Sequence, residues 1–550
     1  MTQLFKLLNS KWYLFLGLFT AFIYFRVAPL QVDPHHDGVI LGAAVAVAEG
    51  RPIQSGAFSQ YGPLPALIQG LVLWLFNTQL LTLRLMTAVQ CLIIGHAIYR
   101  LARIFTHEQL SKLLSFFWLL TSCIWVTQFP GALFPWPSLI STMLVMYGMI
   151  LLIDSAKKFN LKWAFTAGAL FGLAGFCRIQ AFALLPLIFV VGALKYREQT
   201  RLLIISLMGY LSSILAMIIY LLSTSSFDDF VQQGIITPLF AYSDVGEGNN
   251  YNRFQFVMYI IEAIGFMFLY LSAKEVTKRI QNKFLSFVIV ATGIYATGYL
   301  GISVASASIP IRFQVLIGEP LQNLLISPFY FAIASSALLG AFVFLRNTKS
   351  PNRINFAEAI VIFSAIGTLP QLYPQPDIMH LWWIAPIYLS CVVILFEKYP
   401  GKIFMNSLKI LSTILISCTA IGIISAIQFI DRPWAEYKLG VLSSTFAHEE
   451  KARSLDIFRA IEDFAIVGQT SFDCPDGVYA VENGTYLAAD QWFVNWGYSD
   501  KDEPKTGVIR VICDQSKDYA TSEGGRLSMD LVYFRSNEQG KSIAVLRKNG

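Results

Sequence analysis

Charge is what this chain has least of. Only 14% of its 550 residues are Asp, Glu, Lys or Arg, against about 25% in an ordinary globular domain. With 55% hydrophobic residues and a mean hydropathy of +0.55, a soluble globular class is excluded. Nucleotide-binding glycine patterns are missing too: no Gly-x-Gly-x-x-Gly opens a helix, and there is no P-loop. Internal repeats and low-complexity segments are also missing, which counts against the common architectures of secondary transporters. No small-residue cleavage site follows the first apolar run, Trp12–Val27, so it reads as a retained segment.

What the chain does have is a series of apolar runs long enough to span a bilayer, roughly 20 residues each, from the N-terminus to about residue 430. The net charge of +6 is not a nucleic-acid footprint, because the basic residues fall into short clusters between the runs. These are Lys6/Lys11, Arg100/Arg103/Lys112, Lys157/Lys158/Lys162, Lys195/Arg197/Arg201, Lys274/Lys278/Arg279/Lys283, Arg346/Lys349/Arg353 and Lys398/Lys402. Every second connection carries one. The positive-inside rule then places them and the N-terminus in the cytoplasm, with about thirteen spans and the tail outside. The fold class expected is an all-α polytopic membrane protein of the plasma (inner) membrane with a small C-terminal α+β domain. Its boundaries are 1–430 for the membrane domain and 431–550 for the extracytoplasmic one.

Pro63–Phe76 is apolar but too short for a crossing, and counting it as one would invert every later cluster. It is expected to be a re-entrant or interfacial helix on the outer side, as is Val39–Ala48, within a long first outer loop spanning 28–82. In the polar tail an amphipathic helical stretch is expected near Phe446–Phe464, and β-strands near Gly507–Cys513 and Ser542–Arg547. Cys91, Cys123, Cys177, Cys391 and Cys418 lie in or beside apolar runs, where packing explains them. Cys474 and Cys513 are the two in the outer domain, and an oxidising compartment suggests that they form a disulfide.

Ionisable groups near membrane depth are costly and mark function by default. Two outer loops concentrate them: Asp33-Pro34-His35-His36-Asp37-Gly38, and Tyr373-Pro374-Gln375-Pro376-Asp377-Ile378-Met379-His380. Structural readings compete at each position. Asp33 before Pro34 also reads as a helix N-cap. Asp37 also reads as a first-turn acid facing the helix dipole, and Asp377 and His380 as caps of the next span. His35 and His36 equally read as interfacial side chains, and Arg178 as a snorkelling anchor.

The order Asp37-Gly38, Ala48-Glu49-Gly50-Arg51-Pro52, Phe58-Ser59-Gln60-Tyr61-Gly62-Pro63-Leu64 and Leu83-Arg84-Leu85 resembles the first outer loop of the GT-C glycosyltransferases. These include the aminoarabinose and protein O-mannosyl transferases and the oligosaccharyltransferases. The resemblance covers about residues 25–105 and is architectural beyond them. It implies a thirteen-span enzyme that transfers a sugar from a polyprenyl-phosphate donor to an extracytoplasmic glycan, lipid or protein. Two departures leave roles open. Asp37-Gly38 stands in place of the usual Asp-Glu pair, so the base is Asp37 or Asp33. Tyr61-Gly62-Pro63 stands where some relatives carry Lys-Pro-Pro, so another cation holds the phosphate.

The chemistry needs the same residue types on its own terms. A carboxylate near the acceptor takes its proton as attack on the anomeric carbon develops. Positive charge or a metal stabilises the departing phosphate. Asp37 fits the first role. Arg51, Arg84, Arg178, Arg253 and Arg312, with His35, His36 or His380, are candidates for the second, and Tyr61 and Asp377 complete the expected substrate contacts. A divalent ion, Mg²⁺ or Mn²⁺, has a candidate set in Asp37, His36 and His380. The rival functions are a transporter or lipid flippase, with a polar path across the whole membrane, and an assembly scaffold. An enzyme instead predicts that both loops converge on one place.

Overall fold

The computed structural model describes residues 10–31, 34–59, 61–125, 133–236, 355–372, 378–398 and 402–431 of the helical part, with residues 326, 329, 330, 333 and 336. In the tail it describes 434–437, 445–448, 463–464, 470–473, 509–513, 516–536 and 542–548. The helices are α1 (Ser10–Val27), α2 (Pro34–Ala48), α3 (Pro63–Leu75), α4 (Leu80–Ala102), α5 (Glu108–Trp125), α6 (Pro137–Lys158) and α7 (Leu161–Gly175). They continue as α8 (Leu184–Lys195), α9 (Thr200–Ser223), α10 (Phe227–Val231), α11 (Phe356–Thr368), α12 (Ile378–Lys398) and α13 (Lys402–Ile430). Among the described residues, four helical stretches are long and apolar enough to cross a membrane: Leu80–Ala102, Pro137–Lys158, Arg197–Ser223 and Leu411–Ile430. Shorter apolar stretches include Leu14–Val27, Ile179–Gly192, Phe356–Gln371 and His380–Leu395. The spans expected within 237–354 lie outside the described residues, apart from the five single positions.

Local chemistry explains where these helices start. Pro34, Pro63 and Pro137 each open a helix, where a missing N–H is harmless. Asn160 caps α7 by accepting from the Trp163 amide at 3.2 Å. Asn355 and Glu358 form a reciprocal capping box on α11 at 2.9 and 2.8 Å.

Packing in lipid favours small residues at helix contacts, because lipid chains supply no hydrophobic drive between helices. Gly168 of α7 lies against the Ser206 backbone of α9, and a Cβ there would overlap the Ser206 carbonyl. Ala164, Gly168 and Gly172 form an i, i+4 stripe that lets α7 and α9 approach closely. That contact fixes where the outgoing end of α7 delivers Phe176–Arg178.

The basic residues gather at one end of the bundle. Arg100, ending α4, pairs with Asp154 near the end of α6 at 3.3 Å. Arg201, starting α9, lies 5.9 Å from the Phe159 ring. Tyr196, after α8, packs edge-on at 5.6 Å against Phe356 at the start of α11. The first-loop elements α2 and α3 belong to the opposite end. With 13 residues, α3 is about 20 Å long, short of a ~30 Å hydrocarbon core. One side of it is buried through Pro65, Ala66, Gln69, Gly70 and Leu73, while Leu71, Trp74, Leu75 and Phe76 are exposed. α2 is rich in small residues and buried along Asp37–Ala46.

In the tail, β1 (Trp434–Tyr437) and β2 (Thr445–His448) form an antiparallel pair. The expected helical stretch from Phe446 is thus corrected at its start, since Phe446–His448 lies in β2. Apolar spacing over so short a run does not separate helix from strand, and pairing with β1 decides it. A second sheet has the order β3-β4-β6-β5, from Thr470–Asp473, Ile509–Cys513, Ser542–Lys548 and Met529–Ser536. Helix α14 (Lys517–Leu527) packs on it through Ala520, with Ile512, Met529, Ala544 and Leu546. β3 and β4 run parallel and pair Asp473 with Ile512. Those two residues immediately precede Cys474 and Cys513; the bridge itself lies outside the described residues.

Candidate functional site

The end opposite the basic clusters carries two groupings of polar side chains. The first is built on Arg84, in the second turn of α4. Its Nη1 donates to the carbonyls of Ala28 and Leu30 at 3.2 and 2.6 Å. Its Nη2 donates to the Gln31 carbonyl and to Asp37 Oδ2, both at 2.7 Å. Arg84 is 2% exposed and Asp37 0%. A guanidinium suits this task because its rigid fork reaches several acceptors at once. It collects the carbonyls left over where α1 ends, and it ties them to the first turn of α2. Gln31 adopts a left-handed φ of 62° there, strain that the arginine contacts hold in place.

The second grouping draws on three separate parts of the chain. Gly62 sets it up. A Cβ at this position would overlap the carbonyl of Phe176, so only glycine lets the first loop lie on the end of α7. The Leu64 amide then donates to the Phe176 carbonyl at 3.3 Å. The Tyr61 carbonyl accepts from Gln54 Nε2 at 3.1 Å and from Ser59 Oγ at 3.2 Å. Gln233, in the π-helical turn Gln232–Ile236 after α10, steadies the same loop by donating to the Gln54 carbonyl at 3.1 Å and accepting from the Ser59 amide at 3.3 Å.

So placed, the Tyr61 ring lies 5.3 Å from the Arg178 guanidinium, and the Trp383 ring of α12 lies 5.4 Å from it. His380, one turn before Trp383, packs against that indole with ring centres 4.6 Å apart. Trp136 packs on it at 4.7 Å and in turn touches Phe134 at 4.2 Å. Gln69 of α3 donates to the Pro135 carbonyl at 2.8 Å, joining this aromatic segment to the first loop. Arg178 Nε and Nη2 are buried and have no hydrogen-bond partner. Aromatic faces offset part of the cost of desolvating a guanidinium, but they accept none of its in-plane N–H bonds in the ordinary way. The arrangement presents positive charge and idle donors, which is what an oxyanion requires.

The expected candidates therefore divide. Tyr61, Arg178 and His380 come together, joining the first loop, the end of α7 and the start of α12. Asp37 and Arg84 form the other grouping, where Arg84 is engaged by Asp37 and three carbonyls. Of His35 and His36 only the backbone is described, within α2. Asp33, Asp377, Arg253 and Arg312 lie outside the described residues. Trp383 and Trp136 were missing from the sequence expectation. The signal was present in the spacing of His380 and Trp383, three apart on one helical face. Among the described residues no group of three His, Cys, Asp or Glu could hold a metal ion. The described members of the expected set, Asp37 and His380, sit in different groupings, and the His36 side chain lies outside the described residues.

No protein-family model matches the chain, and no curated protein matches it. Among solved structures it is similar to ArnT from Cupriavidus metallidurans bound to undecaprenyl phosphate, at 14% identity over 98% of both chains, with a TM-score of 0.47. It is also similar to the Archaeoglobus fulgidus oligosaccharyltransferase in its apo form, at 12% identity and a TM-score of 0.48. That match covers 90% of this chain and 62% of the other.

Proposed function

We propose that this chain is a membrane glycosyltransferase that moves a hexosyl or pentosyl group from a polyprenyl-phosphate donor to an extracytoplasmic glycan, lipid or protein. The observation that carries the reading is Arg178. Its charge is held between Tyr61 and Trp383, beside His380, with buried N–H groups that have no acceptor. It lies where the first outer loop meets the start of α12, at the end away from the gathered basic residues. Under the positive-inside rule that basic end is cytoplasmic, so the site opens outward in a plasma (inner) membrane. Outside the cytoplasm a lipid-linked sugar is the available activated donor, and the apolar helices offer its chain a path.

In the reaction, the acceptor hydroxyl attacks the anomeric carbon and loses its proton to a carboxylate. The bond between that carbon and the phosphate oxygen breaks, and its electron pair leaves with the lipid phosphate. Arg178 stabilises the charge that builds on the leaving group. Asp37 is the carboxylate assigned as base. With Oδ2 on Arg84, its proton-accepting atom is Oδ1. Its complete burial favours a second assignment, in which Asp33 is the base and Asp37 only clamps the loop. A divalent-ion requirement is tested by chelation.

The test is transfer of labelled sugar from a polyprenyl-phosphate donor by the purified chain in liposomes. Lipid-linked sugar should be turned over and a nucleotide sugar alone should not. Turnover of nucleotide sugars with lipid-linked ones ignored would reject the reading. Net lipid translocation without any glycosidic product would establish the flippase alternative.

A further inference from the structure

The indole of Trp383 has no structural use for its N–H. The side chain is 2% exposed, and Nε1 is buried with no hydrogen-bond partner. Buried indole N–H groups ordinarily find an acceptor. Everything else about this residue is firmly held. Its carbonyl accepts from Thr142 Oγ1 at 2.8 Å, and its ring packs against Trp136 and His380. The face of the same ring meets the Arg178 guanidinium at 5.4 Å. Donors from two separate elements thus lie within one side-chain contact of each other, and neither element supplies an acceptor. Trp382, next in the chain, also has an idle Nε1, but it stacks at 5.1 Å on another indole, Trp118, and its carbonyl accepts from Trp118 Nε1 at 3.1 Å. Trp383 differs in having a guanidinium and an imidazole against it.

We propose that Trp383 is a direct ligand of the lipid phosphate, its indole N–H donating to one phosphate oxygen while Arg178 Nε and Nη2 engage others. The proposal rests on the glycosyl-transfer reading and adds a residue and a direction to it. An indole donates without accepting and carries no charge. It therefore supplies geometry where Arg178 already supplies charge. The chemistry assigns it a side of the reaction. The donor is a phosphodiester, and breaking its bond to the anomeric carbon leaves a phosphomonoester with one more terminal oxygen bearing charge. A donor aimed at that oxygen binds the departing phosphate more strongly than the intact donor, which speeds the chemical step. Trp383 should then act on kcat more than on KM.

Trp383→Phe separates the N–H from the ring, because phenylalanine keeps an aromatic face for Arg178 and fills most of the space. In full-length protein in detergent, affinity for a polyprenyl monophosphate should fall about tenfold or more, the range for a hydrogen bond to a charged group. Affinity for the uncharged polyprenol should not change. In the parent protein labelled with ¹⁵N at indole nitrogens, one resonance absent from Trp383→Phe should move downfield when the monophosphate binds. Wild-type affinity in Trp383→Phe, with affinity lost in Arg178→Gln, would overturn the assignment of Trp383 and leave the phosphate site standing. So would an indole resonance that stays fixed while the monophosphate binds, a result independent of how well the variant folds. If the parent chain binds monophosphate no better than polyprenol, the assignment and the function reading fall together.

Discussion

Arg84 and Arg178 stand at the same end of the helical bundle and meet opposite surroundings. Arg84 donates to three carbonyls and one carboxylate, all within 3.2 Å. Its charge joins α1, α2 and α4. Arg178 has aromatic rings on its faces and buried N–H groups without acceptors. Breaking a buried ion pair leaves a stranded charge, whereas removing a charge that has no carboxylate or carbonyl against it leaves nothing stranded. The first arginine is therefore a structural tie and the second a place for something to bind. Variants can separate the two roles.

The largest effects are expected at the Asp37–Arg84 pair. Asp37→Asn strands Arg84 and should destabilise the helical part by about 3–5 kcal/mol. If Asp37 is also the base, turnover per folded molecule should drop by roughly 10²–10⁴. Arg84→Met gives the structural half alone, with a similar loss of stability and the carboxylate still present. Thermal unfolding and initial rates in the same detergent read both quantities. Near-normal turnover in Asp37→Asn, with Asp33→Asn inactive, would move the base to Asp33.

Next in size is Arg178→Gln. Transfer should fall by about 10²–10³, the usual loss when one oxyanion donor is removed, while thermal stability stays level or rises. Arg178→Lys keeps the charge but loses the planar fork that lies between two rings, so it should recover only part of the rate. A stability loss in Arg178→Gln equal to that of Arg84→Met would break the comparison, because both arginines would then be structural.

Which parts of this were legible beforehand follows from the physics of each signal. Bilayer thickness forces long apolar runs, so helices such as Leu80–Ala102 and Pro137–Lys158 are written plainly. Proline in a first turn gave Pro34, and the apolar run gave the helix from Pro63. Arg178 and His380 could be singled out because polar groups beside apolar runs are costly, and Tyr61 because it stands in the Tyr-Gly-Pro element of the resemblance. The Asp37–Arg84 bond spans 47 residues. An apolar run shows that a helix spans but not how it is rotated, so both residues were visible while their pairing was not. Trp383 and Trp136 were hidden for the opposite reason, since tryptophan in an apolar stretch reads as packing. The strand at Thr445–His448 depended on a partner ten or so residues away, Trp434–Tyr437, which local spacing cannot register.

The tail extends the comparison, because strands pair in it where the rest is helical. β3 and β4 run parallel and pair Asp473 with Ile512. Cys474 and Cys513 directly follow that pair in the sequence, and we propose the disulfide that an oxidising compartment suggests between them. The bond should stabilise the tail by roughly 3–4 kcal/mol in the chain-entropy model. Neither thiol should label in denatured, unreduced protein. Labelling of both would show that the sheet holds without a bridge.

The smallest expected effect concerns a third arginine, Arg510 of β4, 6% exposed and 3.3 Å from Glu523 of α14. Glu523 also accepts from Arg526 Nε and Nη2, each at 2.8 Å. The hydrogen bonds from Arg526, helped by the charges of Arg510 and Arg526, hold the Glu523 carboxyl below its ordinary value against the opposing effect of burial. A carboxyl whose folded value is depressed adds stability that is complete above its unfolded value of about 4.3 and fades as pH falls through the lower folded value. The tail sheet should therefore loosen below about pH 4, read as faster amide exchange in β4 and β6 of the full-length chain. Glu523→Gln should remove that pH dependence. Arg526 is half-exposed, so solvent screening keeps the effect to about 0.2–1 kcal/mol. Arg510 thus differs from Arg84 in lying against a carboxylate that it shares with a half-exposed arginine. A Glu523→Gln cost as large as that of Asp37→Asn would mean that such a shared carboxylate ties down a buried arginine as firmly as Asp37 ties down Arg84.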